Sequence, residues 1–250
     1  MVLLKPPVAG GGLPHDAPAA AERRRSLALL FDDTASHYDR VIGLMSLGSG
    51  SWYRRAALKR AGLRAGMTLL DVAAGTGAVA CAAVETVGPS GHVLGIDPSM
   101  GMLSQASKAL RIPLVQGVAE RLPFRDGSFD FLSMGYALRL VSDVKHTFAE
   151  YFRVLKPGGT VLILDFARPR SRAGRGVGRL YLDRLLPWIV GLTTGSAEAR
   201  HLVRCCWKTV EELAPPGTIL DALTDCGFRD VTRATAFALL SEYVARKPAG

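Results

Sequence analysis

Cysteine is scarce in this sequence. Cys81, Cys205, Cys206 and Cys226 are the only four, and no two of them form a C-x-x-C pair. That excludes the usual zinc-ribbon and thioredoxin-type spacings, and it points to a reduced, cytoplasmic compartment rather than a disulfide-stapled secreted scaffold. Cys81 lies in a run of small residues and is expected to pack in a core. Long apolar runs are missing too. The longest uncharged stretches are 13 residues, as from Leu185 to Ala197, against the roughly 20 apolar residues a membrane-spanning helix needs. The apolar start MVLL is broken by Lys5 and two prolines, which is too short for a signal-peptide core. Acidic residues are in deficit, with 22 Asp and Glu against 31 Lys and Arg, for a net charge of +9. Such a balance suits nucleic acid, an anionic membrane surface or an acidic ligand, and also a plain solvated basic face. The excess is local: Arg168, Arg170, Arg172, Arg175, Arg179 and Arg184 crowd one segment, and Arg23 to Arg25 another.

What is present is enough for one full-sized core, since 48% of the 250 residues are hydrophobic. Residues 1–18 are rich in Pro, Gly and Ala without periodicity and are expected to be disordered. Residues 19–250 read as one domain that opens with helices over 19–63. From Met67 the chain alternates strand and helix. MTLLDV, HVLGID, IPLVQG, FDFLSMG and TVLILDFA are buried-strand patterns. GAVACAAVETV, the stretch from Ser99 to Leu110 and that from Asp143 to Leu155 are helical, with Ser99 a good N-cap. KPGG at Lys156–Gly159 reads as a helix stop and turn. The alternation predicts an α/β fold, a doubly wound, mostly parallel seven-stranded sheet with helices on both faces. After Ala167 the rhythm breaks over 168–207, an insertion expected to form a substrate lid with the N-terminal helices. A helix near Thr218–Cys226 and the runs FRDVTRATA and FALLSEYVARK would then close the sheet with an antiparallel edge.

The loop after the first strand reads LLDVAAGTGAVA. Gly75-Thr76-Gly77 followed by Ala80 matches G-x-G-x-x-[GA], and Asp97 lies 20 residues beyond Gly77, which is the dinucleotide spacing. Two features argue against a pyrophosphate. Asp71 would repel it and suits a cationic group such as an amino-acid ammonium, and no Lys or Arg flanks the loop. Downstream come ERLPF from Glu120, DGSFD from Asp126 and RVLKPGG before the fifth strand.

This ordered set resembles the class I S-adenosylmethionine methyltransferases over about residues 65–167. Three segments, YDRVIGLMSLGSGSWYRR from Tyr38, YALRLVSD from Tyr136 and RVLKPGGTVLILDFARP from Arg153, are similar to the ubiquinone/menaquinone C-methyltransferase family, whose members methylate a ring carbon of a benzoquinol or naphthoquinol. The resemblance implies S-adenosylmethionine as cofactor and a small aromatic or quinol-like substrate. It implies a cofactor site at Asp71, Ala73, Gly75, Thr76, Gly77, Pro98, Met102, Ala119, Glu120 and Met134, with Asp97 at the ribose hydroxyls and Tyr38 closing over the site. Several positions depart from the family pattern. Val41-Ile42 replaces Met-Asn, Leu140 replaces the Asn after Arg139, Asp165 and Ala167 replace Glu and Ser, and Val118 replaces a polar residue. These leave the cofactor site intact and the acceptor open. Methylation at oxygen or nitrogen, or a silent cofactor-binding scaffold, are the other readings. A nucleic-acid enzyme is not expected, because the place of the Asn/Asp-Pro-Pro-aromatic motif reads SMGYAL.

A phenol ring carbon is a strong nucleophile only when its hydroxyl is ionised, so the chemistry needs a base or a cation that stabilises the phenolate. Arg139 is the candidate cation, its alternative being a surface ion pair with Asp143. Asp165 is a candidate base or the partner of an arginine of the insertion. His37, His146 and His201 are candidate bases, His201 foremost, each with an ordinary structural reading beside it. Residues 168–194 combine six arginines with LLPWIVGL. They read either as a peripheral membrane contact or as a lid with its arginines in water, and Gly174, Gly176, Gly178 and Pro187 interrupt an amphipathic helix. The sequence leaves the oligomeric state open, a homodimer included.

Overall fold

In the computed structural model, residues 28–29, 31–36, 38–40, 43, 50–167, 184–195, 214–236 and 240–250 are described. The expected lid residues 168–183 and 196–207, the tail, His37 and His201 lie outside them. Seven strands form one sheet: β1 (Thr68–Val72), β2 (His92–Asp97), β3 (Leu114–Gln116), β4 (Phe129–Gly135), β5 (Leu155–Phe166), β6 (Arg229–Ala236) and β7 (Leu240–Arg246). Their order is β3-β2-β1-β4-β5-β7-β6. The first five are parallel, and β7 runs antiparallel to both β5 and β6. The antiparallel strand is thus β7, one place in from the edge, and β6 is the edge.

Helices cover both faces, as strands that are apolar throughout require. On one face lie α1 (Gly50–Arg60) and α2 (Ala78–Val87), whose Ala57, Leu58, Val79 and Ala83 pack with Leu69, Phe131 and Leu162. The small side chains of α2 let it sit close to the sheet. Cys81 is not in this core. It is exposed on the outer side of α2 beside Val84 and Glu85, while Ala80, Ala82 and Ala83 take the inner side. α3 (Met100–Ala109) starts at Ser99, whose hydroxyl accepts from the Met102 N–H at 3.0 Å. On the other face α4 (Val144–Val154) and α6 (Pro216–Asp225) contribute Phe148, Tyr151, Ile219 and Leu223. Burying each such side chain stabilises by about 1.5–3 kcal/mol. α5 (Leu186–Thr194) is the described part of the insertion.

Lys156–Gly159 is not the free turn that its composition suggests. It already belongs to β5, because the Gly158 N–H donates to Lys247 and Pro248 carbonyls and the Lys247 N–H donates to Gly159. The downstream motif residues mainly hold the frame. Arg153 donates to Glu150, Asp126 and the carbonyls of Leu122 and Phe124. Asp130 accepts from the Thr68 N–H and the Lys156 Nζ.

Candidate functional site

The strand order reverses at β1, with β2 and β3 wound to one side and β4 and β5 to the other. A crevice forms at such a point, beyond the carboxyl ends of the central strands. Here it lies past β1 and β4. Each of these strands is followed by a non-glycine residue with positive φ, Ala73 at 55° and Tyr136 at 60°. Left-handed backbone costs such residues about 1–2 kcal/mol and concentrates where a ligand or reaction dictates the path.

The loop is pinned from beneath. The Ala74 N–H donates to the Ile96 carbonyl at 3.0 Å, and the Gly75 N–H to Asp97 Oδ2 at 2.8 Å. Gly75 has φ 56°, and a Cβ there would meet nothing within 4 Å, so the loop faces open space at this residue. Gly77 has φ 89°, and its added Cβ would lie 2.5 Å from Leu110, so this glycine serves packing. Asp97 Oδ1 accepts from the Ser99 N–H at 2.8 Å, which leaves each carboxylate oxygen one further lone pair for a ribose hydroxyl. Burial pushes the Asp97 carboxyl up to about 6, against the two backbone hydrogen bonds that lower it. Asp71 is 1% exposed. Its Oδ1 accepts from Ser133 Oγ at 2.7 Å, while Oδ2 accepts no hydrogen bond of ordinary length. Burial raises its carboxyl to about 7.

The remaining expected cofactor residues fall in different places. Thr76 is buried and donates to Asp39 Oδ1 at 2.5 Å. The Pro98 carbonyl accepts from Gln116. Met102 and Met134 are enclosed in the core, 2% and 0% exposed, with the Tyr151 hydroxyl 3.4 Å from the Met134 sulfur. Ala119 is buried. Glu120 Oε1 accepts from the Ser142 N–H and hydroxyl, tying the loop after β3 to the start of α4. The Tyr38 ring meets that of Phe31, edge to face, at 6.1 Å.

Two carboxylates not singled out from the sequence bind the loops past β1 and β2. Asp32 Oδ1 accepts from Ser99 Oγ at 2.5 Å and from the Gly101 N–H at 2.7 Å. Asp39 holds Thr76. A Cβ on Gly101 would lie 2.9 Å from the Asp32 Cα, so only glycine admits this approach. Asp32 and Asp39 are seven residues apart, the separation at which two residues of a helix would share a face. That spacing in FDDTASHYD was the available signal.

The other end of the crevice lies past β4 and β5. Arg139 stands in a 3₁₀ turn, Leu138–Leu140. It does not pair with Asp143, whose side chain caps α4 by accepting from the His146 N–H. Instead its Nη1 donates to Asp165 Oδ1 at 3.0 Å and to the Tyr136 carbonyl at 2.5 Å. The side chains of the pair are 8% and 0% exposed. Asp165 also accepts from the Phe166 N–H, and its Oδ2 is buried without a partner. Burial raises its carboxyl, and Arg139 pulls it back. The guanidinium lies 5.2 Å from the centre of the Phe166 ring, which packs on Tyr136. At the same end of the sheet, a cavity of about 260 Å³ opens between α1 and the β6–β7 hairpin, lined by Trp52, Tyr53, Arg60, Glu242 and Ala234–Ala236.

The residues past β1 and β2 suit S-adenosylmethionine: a buried carboxylate with one oxygen unpartnered for its ammonium, an anchored aspartate for its ribose, and a loop open at Gly75. Comparison with known proteins agrees. The model of the ubiE/COQ5 methyltransferase family matches residues 19–238. A demethylmenaquinone methyltransferase of Lactococcus lactis is 33% identical over 207 residues, 80% of this chain and 80% of that protein. The ubiquinone/menaquinone biosynthesis C-methyltransferase of Shewanella sediminis is 32% identical over 219 residues, 85% of this chain and 86% of its own. Among solved structures, a SAM-dependent methyltransferase of Aquifex aeolicus superposes with a TM-score of 0.58 at 22% identity, covering 77% of this chain and 88% of its own, which speaks to the fold.

Proposed function

The chain belongs to the ubiE/COQ5 methyltransferase family, and from that premise we propose that it methylates a ring carbon of a hydroxylated aromatic or quinol held against Arg139. It is an S-adenosylmethionine-dependent methyltransferase acting on a small aromatic or quinol-like molecule. When bound, the cofactor supplies an electrophilic methyl group on a sulfonium. Asp71, Gly75 and Asp97 hold it. The observation that carries the acceptor reading is the buried Arg139–Asp165 pair at the ends of β4 and β5. A guanidinium fixed by a carboxylate stabilises a phenolate oxygen, and ionising that oxygen makes the ring carbon nucleophilic. Asp165 orients Arg139 through Oδ1; the acceptor binds as the phenolate with its proton given to water, the ring carbon takes the methyl group as S-adenosylhomocysteine departs, and that carbon then loses its own proton to water to restore the ring. Phe166 and Tyr136 give the acceptor ring an apolar wall, and the cavity beside Trp52 leaves room for ring substituents. The test is product analysis. Purified enzyme with methyl-labelled S-adenosylmethionine and demethylated naphthoquinol or benzoquinol should give a product whose label is on a ring carbon. Label only on oxygen or nitrogen would overturn the reading.

We propose further that α5 docks the enzyme on an anionic bilayer. Leu185, Trp188 and Leu192 are 47%, 64% and 68% exposed at helical spacing, while Leu186 and Val190 face inward. The sequence just before carries six arginines between 168 and 184, and each basic residue near anionic lipid contributes about 1 kcal/mol. No helix among the described residues is long and apolar enough to cross a membrane. Co-sedimentation with phosphatidylglycerol vesicles should fade with salt and with Trp188→Ser. Protein left in the supernatant at low salt would overturn docking.

A further inference from the structure

We propose that Arg54 receives the carboxylate of the amino-acid end of S-adenosylmethionine, across the crevice from Asp71, which receives the ammonium. The inference rests on the cofactor reading above and adds a residue to it.

α1 carries three arginines, and they are disposed differently. Arg55 is 45% exposed and pairs with Glu85, and Arg60 reaches Glu242 at 2.6 Å. Arg54 is 7% exposed, its Nε has no hydrogen-bond partner, and no acidic side chain among the described residues lies within ion-pair distance of it. A buried guanidinium left this way costs several kcal/mol, so a compensating anion is called for. The nearby groups are otherwise engaged. Glu242 is held by Arg60, and Asp165 by Arg139. Tyr136 feels the charge of Arg54, but burial pushes its phenol up to about 12, so it stays neutral.

Asp71 feels the same charge. Arg54 stands one turn before Leu58 on α1, whose cluster Tyr136 packs against at the end of β4, the strand paired with that of Asp71, and it does not contact Asp71. The two groups are complementary: a cation whose Nε–H has no partner, and a carboxylate held by Ser133 through Oδ1 and influenced by the Ala80 N–H, whose Oδ2 accepts no hydrogen bond of ordinary length. A zwitterionic α-amino acid carries the opposite pair of charges on one carbon. Placed between them beside open Gly75, it satisfies both at once, and a charge-assisted bond to guanidinium is among the stronger available.

Calorimetry with three ligands tests this. S-Adenosylmethionine, its decarboxylated form, which keeps the ammonium and sulfonium, and methylthioadenosine, which lacks the amino-acid end, are titrated into wild type and Arg54→Met. Wild type should bind S-adenosylmethionine at least tenfold tighter than the decarboxylated form. Arg54→Met should abolish that preference and leave methylthioadenosine binding within twofold, and Arg54→Lys should restore part of it. A retained preference in Arg54→Met, or an equal loss for all three ligands, would overturn the assignment. Should Arg54→Met fail to fold, the wild type decides, since equal affinity for the first two ligands refutes a carboxylate contact. If wild type binds none of the three, the cofactor reading itself fails.

Discussion

The two ends of the crevice are built by different means. At the end proposed for the cofactor, past β1 and β2, Asp71, Gly75 and Asp97 come from one short segment of the chain, and much of the work is done by backbone. Ala73 and Gly75 set the path, and Asp97 is locked by two N–H groups. At the acceptor end, side chains arrive from Trp52, Tyr136, Asp165 and Ala234, far apart in the chain. A backbone-built site tolerates changes in the surrounding side chains. A side-chain-built site changes specificity with each replacement, and the departures from the family pattern at Leu140, Asp165 and Ala167 all fall at that end.

The contrast can be broken by experiment. The largest effect is expected for Gly75→Val, which places a branched side chain at φ 56° in the open space of the loop. Cofactor binding should become undetectable by calorimetry while far-UV circular dichroism stays native. Arg139→Leu should lower turnover by about 10²-fold and leave cofactor affinity within twofold. A shared loss in both would mean the two ends are not separable. Asp97→Ala should weaken the cofactor at least tenfold, from charge-assisted bonds of about 1.5–3 kcal/mol each. The same carboxylate gives the wild type a pH dependence. With the ribose contact proposed for its ionised form, affinity should rise as pH climbs through about 6 and then flatten on this group's account; Asp97→Asn should lack that step. The smallest effect is expected for Gly101→Ala, whose methyl group displaces Asp32. KM for the cofactor should rise a few-fold with kcat preserved.

The same contrast explains how much could be read beforehand. The strands β2 and β4, the N-cap Ser99 and the β1 loop are local patterns, set by apolar runs and short polar residues at fixed offsets, and they stand where the sequence puts them. Lys156–Gly159 misled because its glycines pair with Lys247, some ninety residues on. Cys81 misled because an Ala-rich helix has no strong apolar face to mark which side turns inward. The partner of Arg139 was not legible, since Asp143 is four residues away and Asp165 is across a strand. Arg54 and Arg55 are adjacent and chemically identical, and only the packing of α1 decides which is buried.

Asp32 and Asp39 fasten a segment before the sheet onto the two loops that form the cofactor end, through three hydrogen bonds. At a net worth of about 1 kcal/mol each, releasing all three costs about 3 kcal/mol, so the unfastened form is populated at roughly one part in a hundred or somewhat less. A tie of that size keeps the residues that bear Asp32 and Asp39 against both loops for all but a small fraction of the time.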